Sequence, residues 1–337
     1  MRHDPTPLVP AHHGLGDGFV RACLTAAVRT TLLVSPRPTV LLVRRAFAAG
    51  GAAVARGLEA HTPGDVAETL DERYGESDDE LLDLYRPASS SGALPTLVWV
   101  HGGGWVGGSK EELAGYFKLI ASHGFTVVGP RYSLAPERRY PTPPRQVMEA
   151  LRFLQANAER LELDATSIVV GGDSAGAQIA AQVAALVTTP GYADAVGVVP
   201  AIAPDRLRGV VLACGPYDLS LLGTSRLVQA VGWAYSGHRR YRDDPVFSTL
   251  SVADHVTAAF PPALVTVGNA DPLRPHSERL VERLRSQGSE PETLFFPDDY
   301  TPALGHEYQF DLDTAAGRLF LDRMITFLRR VARPESR

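Results

Sequence analysis

Cysteine is nearly missing from this chain. Only Cys23 and Cys214 occur among its 337 residues. They lie far apart in apolar contexts and in no C-x-x-C or Cys/His spacing. That excludes a disulfide framework and a thiolate metal centre, and it fits a reduced, cytoplasmic protein without a metal. A basic excess is missing too: 33 Lys and Arg stand against 38 Asp and Glu, a net charge of −5. Nothing here attracts nucleic acid, and there is no long acidic tail. The scarcity of lysine reads as genomic composition. The most apolar stretch, residues 19–49, is cut by Arg21, Arg29, Arg37, Arg44 and Arg45 and broken by Pro36 and Pro38. No uninterrupted apolar span of about 20 residues survives, which argues against a transmembrane helix. The N-terminus, Met-Arg-His-Asp-Pro-Thr-Pro, is too polar and proline-rich for a signal peptide. No internal repeat or low-complexity run is found.

What is present is apolar mass. Hydrophobic residues make up 45% of the chain, enough for one large α/β domain with an accessory piece, or for two domains. Residues 1–18 read as a loose leader. Helices are expected over 19–34 and 39–57, divided by Ser35-Pro36-Arg37-Pro38, as an arm that packs on the main domain or caps a greasy pocket. Contact with a membrane surface through residues 19–57 is an open but less favoured option. Residues 58–80 are polar and acidic and read as a junction. That sets an arm or cap at 1–80 and a main domain at 81–337. From residue 81 onward strands rich in Val, Ile and Leu alternate with helices: strands at 81–86, 96–100, 125–128, 167–170, 209–213, 264–267 and 292–296, and helices at 111–123, 144–160, 175–187, 277–286 and 314–331. Such alternation predicts a mostly parallel sheet covered on both faces. The stretch between the strands at 209–213 and 264–267 is too long for a simple crossover. Residues 216–250 are therefore expected to form a lid insertion that helps shape a pocket.

The chemistry centres on Gly172-Asp173-Ser174-Ala175-Gly176. A β-branched run precedes it and an alanine-rich run follows. Strand, sharp turn and helix are the context in which Gly-x-Ser-x-Gly becomes a nucleophile elbow. The glycines leave room for a tight, strained turn that holds the hydroxyl out beside a helix N-terminus. A serine hydroxyl needs a base, the base needs an orienting acid, and the oxyanion that forms needs donors. The strand at 96–100 runs directly into His101-Gly102-Gly103-Gly104-Trp105, a string known as an oxyanion-hole element. The amides of Gly103, Gly104 and Ala175 are the candidate donors, and His101 is expected to hold the loop. The acid is expected just past a later strand end, where Asp271 follows Leu264–Val267; Asp254, Asp298 and Asp299 compete less well. Of ten histidines, His306 follows the last strand through a loop and precedes the last helix. The order Ser174, Asp271, His306 is that of α/β-hydrolases. Trp105, Tyr132, Trp233 and Tyr235 are candidates for an apolar, substrate-binding wall, with plain core packing as the alternative.

Taken together, His101–Trp105, Tyr132-Ser133-Leu134-Ala135-Pro136-Glu137, Gly172–Gly176, Asp271-Pro272-Leu273-Arg274 and Gly305-His306-Glu307 resemble the hormone-sensitive-lipase-like family of α/β-hydrolases, in its Gly-Asp-Ser-Ala-Gly branch. The resemblance covers about residues 80–330. It implies an eight-stranded sheet, a cap built largely from the N-terminal part, no cofactor, and hydrolysis of carboxylic esters with short to medium acyl chains. Departures are Ser133 where the family often has Arg, Ala177 for a usual Gly, and Pro275-His276 for the common acidic pair; none touches the triad. The same triad could serve an amidase or arylformamidase. A ligand-binding protein on this fold is the rival from another class, and the presence of His306 argues against it. The expected partner is a small ester; a homodimer is an open option.

Overall fold

The computed structural model describes residues 34–332. The expected leader and first helix, residues 1–33, lie outside the described residues. Eight strands form one sheet: β1 Val66–Arg73, β2 Leu81–Pro87, β3 Leu94–Val100, β4 Thr126–Pro130, β5 Leu163–Asp173, β6 Leu207–Ala213, β7 Ala263–Val267 and β8 Glu292–Phe295. Their spatial order is β1-β2-β4-β3-β5-β6-β7-β8. β1 pairs antiparallel with β2 and β2 with β4; every later pairing is parallel. The α-helices of the described residues are α1 Arg37–Glu59, α2 Ala114–Ala121, α3 Thr142–Ala156, α4 Ser174–Thr188, α5 Tyr192–Val196, α6 Arg226–Ser236, α7 Pro245–Ser248, α8 Arg274–Ser286 and α9 Ala315–Ala332.

The parallel strands are buried because helices cover both faces. Two apolar clusters result. One gathers Val98, Val170, Val210 and Val265 with α3 and α4; the other gathers Leu97, Trp99, Val169 and Val211 with α2 and α9. Every residue of α4 is buried, and its run of alanines lets the helix lie close against the sheet. The register β3 to β5 pairs Val100 with Gly172, and β5 to β6 pairs Asp173 with Ala213. Strand ends that carry chemistry therefore finish side by side at one edge.

β1 falls where the sequence suggested a polar junction. Its side chains are mostly exposed, because it is an edge strand with acidic residues facing water, a usual guard against edge-to-edge pairing. A register shift between Thr69 and Glu72 further hides its period from the sequence. Helix α1 bears out the expected helix at 39–57, yet only Thr39, Val40, Val43 and Leu58 are buried in it. By length and composition α1 could cross a membrane; in the fold, part of it instead lies over the carboxyl edge of the sheet.

Candidate active site

Ser174 sits at the junction of β5 and α4 with φ of 51°, a left-handed conformation that is uncommon for a residue with a Cβ. The flanking glycines are required by contact. A Cβ on Gly176 would lie 2.0 Å from the Val100 carbonyl oxygen, and one on Gly172 2.5 Å from the same atom. The strand ends are too close for any other residue.

Asp271 lies in the loop after β7. Its side chain is fully buried; Oδ1 accepts the Leu273 amide at 2.7 Å and Oδ2 faces His306 Nδ1 at 2.8 Å. The other imidazole nitrogen, Nε2, lies 2.9 Å from Ser174 Oγ. Asn269 fixes the loop that brings His306 there. Its Oδ1 accepts the Leu304 amide at 2.8 Å and its amide group donates to the Tyr300 carbonyl at 3.1 Å, while the Ala270 amide donates to the Leu304 carbonyl at 2.9 Å. Three side chains distant in sequence thus form one line from hydroxyl to imidazole to carboxylate.

Burial pulls the imidazole of His306 down, whereas Cys214 and Asp271 pull it up, and the upward direction prevails. Cys214 is itself pushed up by burial, so its thiol stays neutral and lends no charge. The upward pull is the carboxylate of Asp271, which stabilises an imidazolium. Burial sends His101 the other way, down to about 4, so it is neutral. Its Nδ1 bonds the Gly102 carbonyl oxygen at 2.8 Å and its ring stacks on Tyr132 at 4.3 Å. It holds the glycine loop, as expected.

That loop turns sharply, with φ of 107° at Gly103 and 57° at Gly104. The Gly103 carbonyl accepts the amides of Val106 and Gly107. Among the described residues, the amides of Gly103 and Gly104 donate to no other backbone group. Ala175 lies in the first turn of α4, where amides lack intrahelical partners. These three are the groups available to an oxyanion. Arg44 of α1 braces the loop from outside: Nε donates to the Val106 carbonyl at 2.6 Å and an Nη to the Ala135 carbonyl at 2.7 Å, and it pairs with Glu137.

A cavity of about 230 Å³ opens on Ser174 and His306. The glycine loop forms one side, Phe47, Gly51 and Val54 of α1 form its roof, and Glu112, Glu307 and Phe310 complete it. The Phe47 ring lies over the glycine loop; a Cβ on Gly104 would be 3.2 Å from its edge.

A family model described as the alpha/beta hydrolase fold matches residues 97–300. The chain belongs to that α/β-hydrolase family. Three curated relatives of this hydrolase are protein R526 of Acanthamoeba polyphaga mimivirus, esterase LipC of Mycobacterium tuberculosis and the ethyl acetate hydrolase of Pseudomonas putida. R526 is 26% identical over 263 residues, 74% of this chain and 72% of that protein. LipC is 30% identical over 221 residues, 63% and 54% of the two chains. The ethyl acetate hydrolase is 30% identical over 220 residues, 61% and 65%. Among solved structures, a tributyrin-phosphonate-inhibited esterase B from Lactobacillus rhamnosis superposes with a TM-score of 0.78, covering 88% of this chain and 96% of that one, at 23% identity. That likeness is one of fold.

Two sequence expectations for the hydrolase need correction. Trp105 and Tyr132 do not line the cavity. Trp105 is buried behind the glycine loop, donating from Nε1 to Gln178 Oε1 at 3.1 Å and stacking on Tyr235 at 5.0 Å. The Tyr132 hydroxyl donates to the His101 carbonyl at 3.0 Å. Both brace the loop, because aromatic groups of this size find more contact in the core than in a small cavity. The insertion at 216–250 likewise contributes no residue to the cavity wall; α6 packs against α1 instead. His276, one of the departures from the family pattern, accepts the Asp218 amide at 3.3 Å and is lowered to about 4 by burial. It is a neutral tether for the insertion.

Sequence reasoning missed Phe47, Gly51, Glu112, Glu307 and Cys214. Only Glu307, adjacent to His306, carried a signal that could have been read. Phe47, Gly51 and Glu112 needed the position of α1 and of the 3₁₀ turn Glu111–Leu113, and Cys214 needed the pairing that sets the end of β6 beside β7.

Proposed function

We propose that this hydrolase cleaves carboxylic esters with short to medium acyl chains, through an acyl-enzyme formed on Ser174. The observation that carries this is the line from Ser174 Oγ to His306 Nε2 to Asp271 Oδ2, at 2.9 and 2.8 Å, opening on a cavity flanked by free amides. Two of its relatives are named as an esterase and an ethyl acetate hydrolase, which supports the substrate class. The cavity volume lies below the roughly 300–1,000 Å³ of pockets for drug-sized ligands, which supports a small acyl group.

In the first step His306 takes the Ser174 proton as Oγ attacks the ester carbonyl. Asp271 stabilises the resulting imidazolium. The oxyanion is held by the amides of Gly103, Gly104 and Ala175, each contributing about 3 kcal/mol. His306 then returns the proton to the departing alcohol. Water, deprotonated by His306, releases the acid. Helix α1 acts as the cap, and the protein works in the cytoplasm; Leu41 and Leu42, exposed on α1, are the residues through which a lipid surface would be met.

The test is hydrolysis of p-nitrophenyl acetate and longer esters by the intact protein and by Ser174→Ala. Loss of turnover and of the p-nitrophenol burst is expected; retained turnover removes the assignment. The same panel with formyl amides separates ester from amide preference, and co-sedimentation with liposomes tests the outer face of α1.

A further inference from the structure

Each reacting side chain has a carboxyl as its neighbour in sequence. Asp173 precedes Ser174, and Glu307 follows His306. The two carboxyls converge over Gly102: a Cβ there would lie 2.3 Å from Asp173 Oδ2 and 2.9 Å from Glu307 Oε1. Two carboxyls brought this close repel when both are ionised and can share a hydrogen bond when one carries a proton. Glu307 Oε1 also stands 3.7 Å from His306 Nε2. Glu307 adopts φ of 60°, an uncommon conformation for a residue with a side chain, of the kind that surrounding structure must hold in place.

Asp173 is the partner suited to hold that proton. Burial, and then the charge of Glu307, push its carboxyl well above the usual carboxylate range. It is anchored from beneath, since Oδ1 accepts the Trp99 indole N–H at 2.8 Å. Glu307, at 30% exposure, faces the cavity. The titratable and charged groups around the pair are His306 on the same loop, Glu112 from the turn before α2, Tyr116 of α2, Tyr132, and Cys214 after β6. Burial keeps both phenols and the thiol neutral.

We propose that Asp173 and Glu307 form a proton-sharing clasp that positions the base loop on the nucleophile elbow, holding His306 Nε2 within reach of Ser174 Oγ. This rests on the reading of Ser174 and His306 as nucleophile and base. The Asp173 O–H donates to the Glu307 carboxylate. As pH rises through the raised Asp173 value, Asp173 loses its proton, the two carboxylates repel one another, and the clasp opens. The positioning is therefore present below that pH and lost above it.

The test is the pH profile of kcat and kcat/KM for p-nitrophenyl acetate, with circular dichroism at each pH, in wild type, Glu307→Gln, Glu307→Ala and Ser174→Ala. Wild type is expected to show an alkaline fall in kcat while folded. In Glu307→Gln the amide N–H donates to an ionised Asp173, so the clasp survives and the alkaline limb moves up or vanishes. Glu307→Ala is expected to lose roughly 10- to 100-fold in kcat with little change in KM, the scale of a misplacement near 1 Å. An unchanged alkaline limb in Glu307→Gln overturns the clasp, and so does a wild type with no alkaline limb; if Glu307→Ala does not fold, the Gln profile alone decides. Ser174→Ala keeps the two readings apart. If it is inactive while the Glu307 variants match wild type, only the clasp fails; if it retains full turnover, the nucleophile assignment fails.

Discussion

Replacing Phe47 by Ala tests whether α1 sets the acyl-chain limit. The Phe47 ring packs over Gly104 and Gly107, with contacts of 3.2 Å from the Cβ position of each, and it roofs a cavity of about 230 Å³. Each methylene that a substrate buries contributes about 0.8 kcal/mol, or roughly fourfold in kcat/KM. Wild type should climb by about that factor per carbon until the chain meets the ring, and then fall. Removing a half-buried ring leaves space that collapses only in part, so the optimum should move up by roughly three carbons. Acetate should weaken slightly, because the loop carrying the oxyanion amides loses a packing partner. The stability cost should be about 1–2 kcal/mol, below the roughly 3–5 kcal/mol of a fully buried Phe. The assay is kcat/KM for p-nitrophenyl esters from acetate to decanoate, beside a urea denaturation curve. A profile with the same optimum in both proteins would refute the placement of the acyl chain beneath α1.

Further outcomes follow from the same geometry. Asp271→Asn should lower kcat by about 10³- to 10⁴-fold; because the imidazole must be neutral to act, the acid limb of wild type falls at the raised His306 value, and in the variant it should move to lower pH. Lys110, 2% exposed, pairs at 2.7 Å with Asp83, itself 3% exposed, and is raised to about 12 despite burial, through bonds to Asp83, Asp71 and Glu111. Lys110→Met should cost about 3–5 kcal/mol by stranding a buried carboxylate, and Lys110→Met with Asp83→Leu should recover much of it; equal losses in single and double variants would show that the pair is not the cause. The cavity wall carries Glu112 and Glu307 and no Lys or Arg among its described residues, and Glu112 is held up by burial and by Glu111 and Glu307. An ester bearing a carboxylate should thus be disfavoured against its neutral analogue by roughly 30-fold, taking about 2 kcal/mol at a separation near 8 Å; equal kcat/KM for the two would discard this reading.

The elements most legible in sequence were those whose burial is complete. Runs such as Leu97–Val100 and Ile168–Val170 announce strands because a parallel sheet buries both faces. Alanines in α4 announce a helix pressed on that sheet. β1 was not legible, since an edge strand with Asp and Glu facing water looks like a loop. Trp105 and Tyr132 misled for a related reason: composition states that a ring wants burial, and it does not state which side of the glycine loop buries it.

The local chemistry was present in the chain itself. Gly-x-Ser-x-Gly between a strand and a helix suits a tight elbow, a triple glycine at a strand end suits exposed amides, and the order Ser174, Asp271, His306 narrows which strand ends would meet. The tertiary structure alone decided what surrounds them. Helix α1, far back in sequence, came to roof the cavity with Phe47 and Gly51, and the chain neighbours of Ser174 and His306, Asp173 and Glu307, came to converge over Gly102. Such contacts depend on the packing of surfaces distant along the chain, and no periodicity or spacing within one segment encodes the distance between two others.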